Sequence, residues 1–258
     1  MDIAKRFLAA TFAAVATLGG WAGGISPACA VDYEREERWV REVVPSIVVG
    51  DAVWLSTPSR PKVLAILTLP PQAAAGGVIV VHGLGVHPDW GLIGGLRTGL
   101  ADAGYVTLAV QMPVLAASAT RDDYSATLPE AAERIAAAVD YLRNKNIAKI
   151  AIVSHSMGAA MANAFLARKA VDAWAPIGMF GAFAAPPREP VLDIVAETEI
   201  APVRETAPAR ASALPKDACS RQLTIAGADH YFESRQKELV AAIAAFLDRA
   251  FAGRCATR

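Results

Sequence analysis

The segment IAIVSHSMGAAMA, residues 150–162, contains the pattern that decides the fold. Apolar residues suited to a β-strand lead into Ser-His-Ser-Met-Gly, and an alanine-rich run follows. This order is typical of a strand that ends in a sharp turn, with a serine at its tip and a helix beginning directly after it. The common form of the turn is Gly-x-Ser-x-Gly, and here Ser154 stands in the place of the first glycine, two residues before Ser156.

Helical and strand patterns alternate along the rest of the chain. Short apolar runs predict buried strands near residues 76–83, 105–111, 148–154, 173–180, 190–196 and 221–227. Helices are predicted near 89–103, 127–146 and 156–169, and a last helix ends near Phe251. This alternation predicts an α/β fold, with a mostly parallel central sheet, helices on both faces and antiparallel strands at its N-terminal edge.

Three local predictions concern the first half of the chain. Residues 46–57 contain two β-rich runs around Gly50 and Asp51, which predict a hairpin. The charged segment 31–45 is expected to be a solvated helix or arm that packs Trp39 and Val40. Thr127 and Glu130 have the spacing of a capping box at the start of a helix.

Length and charge exclude several classes of protein. The chain has 258 residues, enough for one domain with a sizeable core. Its 25 basic and 25 acidic side chains balance and are spread along the chain, which argues against a nucleic-acid partner. No paired histidines at helical spacing, Cys-x-x-Cys or phosphate-binding glycine loop is present, so we expect neither a metal nor a cofactor.

The first 30 residues have the pattern of a secretory signal peptide. Lys5 and Arg6 precede an apolar run that ends at Ala28-Cys29-Ala30, so we expect cleavage after Ala30 and a single domain over residues 31–258. The predicted location is the periplasm or the exterior, with no stable membrane insertion after cleavage. An uncleaved anchor is the alternative, although four glycines and a proline weaken it as a spanning helix. A lipoprotein cysteine at Cys29 and twin-arginine export fit the residues less well.

Cys219 and Cys255 remain after such a cleavage, and an even number of cysteines in an exported protein suggests a disulfide. Cys219 precedes the last strand, and the last helix must return antiparallel to that strand. Cys255 should therefore reach Cys219 at the edge opposite the loops that follow the strands.

Polar residues follow four predicted strands. They are Ser156, His82 in the segment His-Gly-Leu-Gly, Glu199 with Glu197, and His230. In an open parallel sheet, ligands bind at the carboxyl ends of the strands, so these residues are expected to converge.

The segments that carry these residues resemble the α/β-hydrolase superfamily. They are IVSHSMGAA, VIVVHGLG, PVLDIVAETE and IAGADHYF, in the order serine, acid, histidine, and the resemblance covers residues 46–252. HGLGVHPDW, AVQMPVL and GADHYF in addition resemble a group of exported proteobacterial proteins with this fold, for which no substrate is known.

The resemblance implies a role for each residue. Ser156 would be the nucleophile of a nucleophile elbow and His230 the general base, while the backbone N–H groups of Leu84 and Met157 would form the oxyanion hole. His82 would shape the turn at that hole. His155 flanks the nucleophile and is expected to point elsewhere, and His87 has no assigned role.

The acid is placed by aligning residues 190–203 with the superfamily pattern, which puts it at Glu199. Asp193 is the alternative, although it lies inside the predicted strand. Glu197 falls two residues short, and Asp229 adjoins the histidine that it would have to orient. The alternative to a catalytic role is that Glu199 is a surface residue.

These residues predict a serine hydrolase, carboxylesterase-like, that cleaves an ester, thioester or related acyl bond of a small-molecule or acyl substrate through an acyl-enzyme. A serine at the elbow argues against the branches that use aspartate or, as dienelactone hydrolases do, cysteine. A non-catalytic ligand-binding protein on the same fold and a cofactor-free acyltransferase are the alternatives, and the oligomeric state is not predicted. Few residues separate the predicted strands at 173–180 and 190–196, so we expect no helical cap. The side chains expected to line the pocket are Trp90, Phe180, Phe183 and Tyr231.

Overall fold

The computed structural model describes residues 30–256, so the predicted signal peptide lies almost wholly outside the described residues. The helices of this part are α1 (Tyr33–Val43), α2 (Gly91–Asp102), α3 (Leu128–Asn144), α4 (Met157–Leu166), α5 (Ala201–Ser212) and α6 (Gln236–Phe251). The strands are β1 (Asp51–Leu55), β2 (Val63–Thr68), β3 (Gly76–Val81), β4 (Tyr105–Val110), β5 (Ile150–His155), β6 (Ala173–Ile177), β7 (Leu192–Thr198) and β8 (Arg221–Asp229). Short 3₁₀ helices span Val44–Ser46, Asp122–Thr127 and Glu233–Arg235.

The strands form one sheet in the order β1-β2-β4-β3-β5-β6-β7-β8. Strands β3 to β8 are parallel, whereas β1 and β2 pair antiparallel at one edge. The predicted fold class and the antiparallel edge are therefore confirmed. The carboxyl ends of the parallel strands lie along one edge of the sheet, where the site residues are carried.

The central strands are buried on both faces, which explains their continuous apolar sequences. On β5, Ile152 packs into the cluster with Ile135 and Met161 of α3 and α4. Val153 points to the other face and joins the cluster that contains Leu96 and Ile243 of α2 and α6. Neighbouring residues of one strand thus contribute to two cores, as the period of a strand requires.

The predicted hairpin around Gly50 and Asp51 is wrong. Only the second run forms a strand, and β1 pairs instead with β2, with Leu55 opposite Val63. Residues 46–50 form no strand: Ser46 ends a 3₁₀ helix, the Val49 carbonyl accepts a hydrogen bond from Arg97 Nη1 at 2.5 Å, and Gly50 turns the chain with a φ of +89°.

The predicted capping box is also absent. A 3₁₀ helix leads directly into α3, so Thr127 already has helical dihedral angles, and its hydroxyl donates to the Tyr124 carbonyl at 2.8 Å. The Glu130 carboxylate accepts instead from Arg134 and from the Tyr33 hydroxyl. Neither side chain therefore caps the N-terminus of α3.

Helix α1 is present, but its buried residues differ from the expected ones. Trp39 and Val40 are half-buried, whereas Glu36 and Val43 are buried. Glu36 lies 3.0 Å from Arg134 Nη2, which compensates for burial of the carboxylate, although burial still raises the pKa of Glu36. This ion pair fastens α1 to α3.

The predicted disulfide between Cys219 and Cys255 is present, with the two Cα atoms 5.0 Å apart. It joins the segment before β8 to the end of α6, far from the carboxyl end of β8. Within residues 30–256, Asp217 and these cysteines are the one set of candidate metal ligands that lie close together, and disulfide sulfur atoms do not offer the thiolate that zinc binds. None of the helices in this range is long and apolar enough to cross a bilayer.

Candidate active site

Ser156 lies at the sharp turn between β5 and α4. Its φ of 54° and ψ of −117° are unusual for a residue with a side chain, and such conformations cost about 1–3 kcal/mol. The turn is held by hydrogen bonds from the Ser156 N–H to the Ile177 carbonyl at 2.9 Å and from the Ala159 N–H to the Ser156 carbonyl at 2.9 Å. A Cβ atom at Gly158 would lie 2.6 Å from the Val81 carbonyl oxygen, so only glycine permits this approach of helix and sheet.

Ser154, the departure from the usual glycine, is fully buried. Its hydroxyl accepts a hydrogen bond from Trp174 Nε1 on the neighbouring strand β6 at 2.9 Å. A glycine would leave this buried indole N–H without its partner. Serine is therefore accommodated at the turn because it satisfies a neighbouring donor.

The structure brings Ser156, His230 and Glu199 together from the ends of β5, β8 and β7. His230 Nε2 lies 3.0 Å from Ser156 Oγ, and His230 Nδ1 lies 2.7 Å from Glu199 Oε2. The imidazole and the carboxylate are buried, whereas Ser156 remains partly exposed. In this arrangement Nδ1–H donates to the carboxylate, which leaves Nε2 free to accept the hydroxyl proton of Ser156.

Backbone groups hold the Glu199 carboxylate in place. Oε1 accepts from the Ala196 N–H at 3.3 Å and Oε2 from the Ile200 N–H at 3.2 Å. Each oxygen has a donor in addition to the imidazole contact of Oε2. Glu199 is buried, so a surface position is ruled out for it.

The other carboxylates considered from the sequence have different partners. Asp193 is buried in β7 and lies 3.0 Å from Arg210 Nε. Glu197 is exposed and accepts from the Gly227 N–H at 2.7 Å, and Asp229 accepts from the Tyr231 N–H at 3.0 Å.

Gly178 is a residue that the sequence reasoning missed. It follows β6 with a φ of +56°, and a Cβ atom there would lie 2.9 Å from His230 Cε1 and 3.1 Å from Glu199 Oε1. The glycine leaves room for the imidazole and the carboxylate to meet. The signal that could have identified Gly178 is its position as a glycine at the carboxyl end of a parallel strand.

The loop after β3 lies against Ser156. A Cβ atom at Gly83 would be 3.4 Å from that of Ser156, so the loop that carries Leu84 begins close to Ser156. Met157 is the first residue of α4, where backbone N–H groups have no partner within the helix. Both N–H groups proposed from the sequence thus belong to segments beside Ser156.

His82 fastens this loop to the segment after β4. Its Nδ1–H donates to the Gly83 carbonyl at 2.8 Å, and Nε2 accepts from the Met112 N–H at 2.8 Å. Burial lowers the pKa of His82 to about 3, so the ring is neutral at pH 7 and can fill both roles.

The expectation that His155 points away from the site is wrong. Its Nε2–H donates to the carbonyl oxygen of His230 at 2.8 Å, and the two ring centroids are 4.9 Å apart. Burial lowers the pKa of His155 to about 4, with a further contribution from His230. The side chain before Ser156 therefore supports the loop that carries His230. His87, by contrast, contacts the Asp89 N–H and the Trp39 ring.

Of the predicted pocket lining, Phe180 borders a cavity that is also lined by Met157, the residue directly after Ser156. This cavity of about 370 Å³ is lined by Met157, Phe180 and Leu128, and by Arg121. Phe183 packs instead against the Trp174 ring.

Trp90 and Tyr231 pack against each other on the side of His230, with ring centroids 5.9 Å apart. A larger cavity of about 560 Å³ lies between α3 and α4, and none of Ser156, Glu199 and His230 lines it. The α4 residues that line it, Ala164 and Phe165, lie further along the helix, whereas the smaller cavity borders Met157, directly after Ser156.

Comparison with known proteins agrees with the topology. A family model described as "Protein of unknown function (DUF3530)" matches residues 67–133, which is less than half of the chain. No curated protein matches this chain.

Solved structures align over most of their length. An α/β serine hydrolase homologue from Coxiella burnetii has a TM-score of 0.63 at 15% identity and covers 77% of this chain and 98% of its own. An α/β serine hydrolase without a lid from Xanthomonas campestris has a TM-score of 0.62 at 15% identity, covering 82% and 98%. A dienelactone hydrolase from Anabaena variabilis has a TM-score of 0.64 at 20% identity, covering 78% and 97%.

The segment between β6 and β7, where a helical cap was not expected, contains no helix in this structure. The chain has the α/β-hydrolase fold.

Proposed function

We propose that this protein is a serine hydrolase, carboxylesterase-like, that cleaves an ester, thioester or related acyl bond through an acyl-enzyme on Ser156. The observation that carries the proposal is the chain of contacts from Glu199 through His230 to Ser156, at 2.7 Å and 3.0 Å. A serine hydroxyl is a weak nucleophile, and it becomes useful when a base within hydrogen-bond reach takes its proton.

The first half of the reaction uses these atoms in turn. Ser156 Oγ attacks the acyl carbon while its proton passes to His230 Nε2. Glu199 Oε2 holds Nδ1–H and stabilises the imidazolium that forms. The tetrahedral intermediate collapses when Nε2 returns the proton to the leaving oxygen or sulfur, and the acyl group remains on Ser156.

Water completes the cycle by the same route. His230 accepts a proton from water, the hydroxide attacks the acyl carbon, and the acid is released as Oγ regains its proton from Nε2. In both halves the negative charge on the acyl oxygen is stabilised by the N–H groups of Met157 and Leu84. Removal of one such donor typically costs about 10²–10³ in kcat.

The contacts that the two carboxylates make favour Glu199 over Asp193 as the acid that orients His230. Asp193 lies 3.0 Å from Arg210 Nε and 2.7 Å from Gln222 Nε2, so both contacts serve the packing of α5 and β8 on β7. The Asp193 carboxylate thus pairs with the buried guanidinium of Arg210 and not with the imidazole of His230.

We propose further that the protein acts outside the cytoplasm after loss of the predicted signal peptide. The Cys219–Cys255 disulfide supports this, because disulfides persist in oxidising compartments. The experiment is cell fractionation with N-terminal sequencing of the exported chain, which should begin at Val31. An intact Met1 N-terminus on the exported protein would contradict cleavage.

A fluorophosphonate probe tests the enzymatic proposal directly. The purified protein should form an adduct on Ser156, and Ser156→Ala should form none. Glu199→Gln should slow labelling by about 10³–10⁴-fold, because the neutral amide no longer stabilises the imidazolium.

Asp193→Asn is the matched control, since it changes a buried carboxylate of β7, six residues before Glu199, that pairs with Arg210 and not with His230. It should reduce stability and leave the labelling rate of the folded protein nearly unchanged. A folded protein without an adduct on Ser156 would contradict hydrolysis and favour a ligand-binding protein. Product analysis in water with added alcohol separates a hydrolase from an acyltransferase, which would transfer the acyl group to the alcohol.

A further inference from the structure

Large apolar side chains are exposed on three of the loops at the site. Leu84 is 40% exposed in the loop after β3, Ile200 is 42% exposed directly after Glu199, and Tyr231 is 48% exposed directly after His230. Leaving apolar surface in water costs about 25 cal/mol per Å², and exposed apolar groups that cluster often mark a binding site. Leu84, Ile200 and Tyr231 therefore expose apolar surface at the site that folding has not buried.

Tyr231 is held outwards by a strained turn. Its neighbour Phe232 is fully buried with a φ of 53°, and the Tyr231 N–H donates to Asp229 Oδ1 at 3.0 Å. The buried phenylalanine anchors the loop, and the exposed tyrosine ring stands edge-on to the His230 ring at a centroid distance of 5.4 Å. Trp90 extends this aromatic surface, 5.9 Å from Tyr231.

The position of these rings relative to the base identifies which half of a substrate they would meet. His230 Nε2, 3.0 Å from Ser156 Oγ, must deliver its proton to the leaving atom, so the leaving group departs on the side of the imidazole. Tyr231 packs against that imidazole. The cavity lined by Met157, Leu128 and Phe180 lies at the start of α4 and is left for the acyl group.

We infer that the substrate's leaving group is an uncharged aromatic alcohol, or a thiol of the same shape, that packs on Tyr231 and Trp90. This inference rests on the proposed serine hydrolase function. Aromatic rings bind flat apolar groups in edge-to-face or offset geometry, beyond the area that they bury. The exposed carboxylate of Asp229, next to Tyr231, disfavours an anionic leaving group at the same place.

Three butanoate esters test the inference on the purified protein: those of phenol, 2-naphthol and 4-hydroxybenzoate. The three leaving groups have similar acidity, so differences in kcat/KM report binding of the leaving group rather than its reactivity. The wild type should prefer the naphthyl ester over the phenyl ester by about fivefold, the value of one aromatic contact, and the carboxyphenyl ester should be the poorest.

Substitutions test whether Tyr231 and Trp90 cause the preference for the naphthyl ester. Tyr231→Ala and Trp90→Ala should each reduce the ratio of naphthyl to phenyl kcat/KM towards one, whereas Tyr231→Phe should retain it. Leu69→Ala is the matched control, because Leu69 is 63% exposed and follows the antiparallel strand β2, at the edge of the sheet opposite Ser156. It should leave the ratio unchanged.

Several outcomes would overturn the inference. The wild type hydrolysing the phenyl ester without preferring the naphthyl ester would contradict it, as would Tyr231→Ala slowing all three esters equally, which would mean that Tyr231 only supports His230. A preference that appears only with micellar or vesicle-bound ester would assign the apolar rim to a lipid surface instead. Hydrolysis of no ester, together with the absence of a fluorophosphonate adduct on Ser156, would refute the proposed function itself and the inference with it.

Discussion

Gly178→Ala should slow the chemistry at Ser156 by an amount that its effect on stability does not explain. Gly178 has a φ of +56° and Gly181, three residues later on the same loop, has a φ of +78°. Alanine in the left-handed region costs about 1–2 kcal/mol at either position. For a protein of this size, each kcal/mol lowers Tm by about 2–4 °C, so both variants should melt about 2–8 °C lower than the wild type.

The two positions differ in what a methyl group would contact. At Gly178 it would lie 2.9 Å from His230 Cε1, 3.0 Å from His230 Nδ1 and 3.1 Å from Glu199 Oε1, whereas at Gly181 no heavy atom lies within 4 Å. Carbon atoms in van der Waals contact are about 3.5–4.0 Å apart, so the imidazole must move by roughly half an ångström or more. A misplacement of about 1 Å can cost 10²-fold in rate, so we expect about a tenfold loss.

The assay is the second-order rate constant for fluorophosphonate labelling of Ser156, measured with thermal unfolding for both variants. Gly181→Ala should lose stability and keep the wild-type rate, whereas Gly178→Ala should lose stability and about a factor of ten in rate. Equal labelling rates in the two variants would refute the argument that Gly178 makes room for His230 and Glu199.

The remaining predictions concern stability. Ser154→Gly should lower the free energy of unfolding by about 1–3 kcal/mol, measured in urea, because it leaves the buried Trp174 N–H unpaired, while labelling of the folded protein should not slow. Replacing Cys219 and Cys255 by serine should cost about 4 kcal/mol, since the disulfide closes a loop with a sequence separation of 36. The same titration at several pH values should show stability falling as pH decreases from about 6.5 to about 4. In this window the unfolded chain binds protons at His155 and His82 that the folded protein does not, and each histidine contributes a slope of up to about 1.4 kcal/mol per pH unit.

Each of these predictions has a result that would contradict it. A slower labelling rate in Ser154→Gly would mean that the serine serves the elbow itself rather than the neighbouring strand. Wild-type stability after loss of both cysteines would mean that the C-terminus is held without the disulfide. His155→Gln, which retains an N–H donor but does not titrate, should remove the contribution of His155 to the slope and leave that of His82. An unchanged slope would assign the pH dependence to other groups.

The order of elements could be predicted because it depends on short-range periodicity. Continuous apolar runs marked the buried parallel strands, and the serine and histidine at the ends of β5 and β8 could be placed at one edge of the sheet without knowledge of their contacts. The same local reasoning failed at Val49, whose carbonyl is bound by Arg97, 48 residues further along the chain. It failed at Thr127 because the preceding turn was already helical.

The sequence by itself determined the fold, the serine at the elbow and the two cysteines that join, since all three follow from residue type and spacing along the chain. Only the tertiary structure decided which carboxylate meets His230. Asp193 and Glu199 lie six residues apart, but Arg210 binds Asp193, whereas Glu199 lies beyond the end of β7 and reaches His230 across the space left by Gly178. Such choices depend on contacts between segments that are distant in sequence, and the local pattern of neither segment contains them.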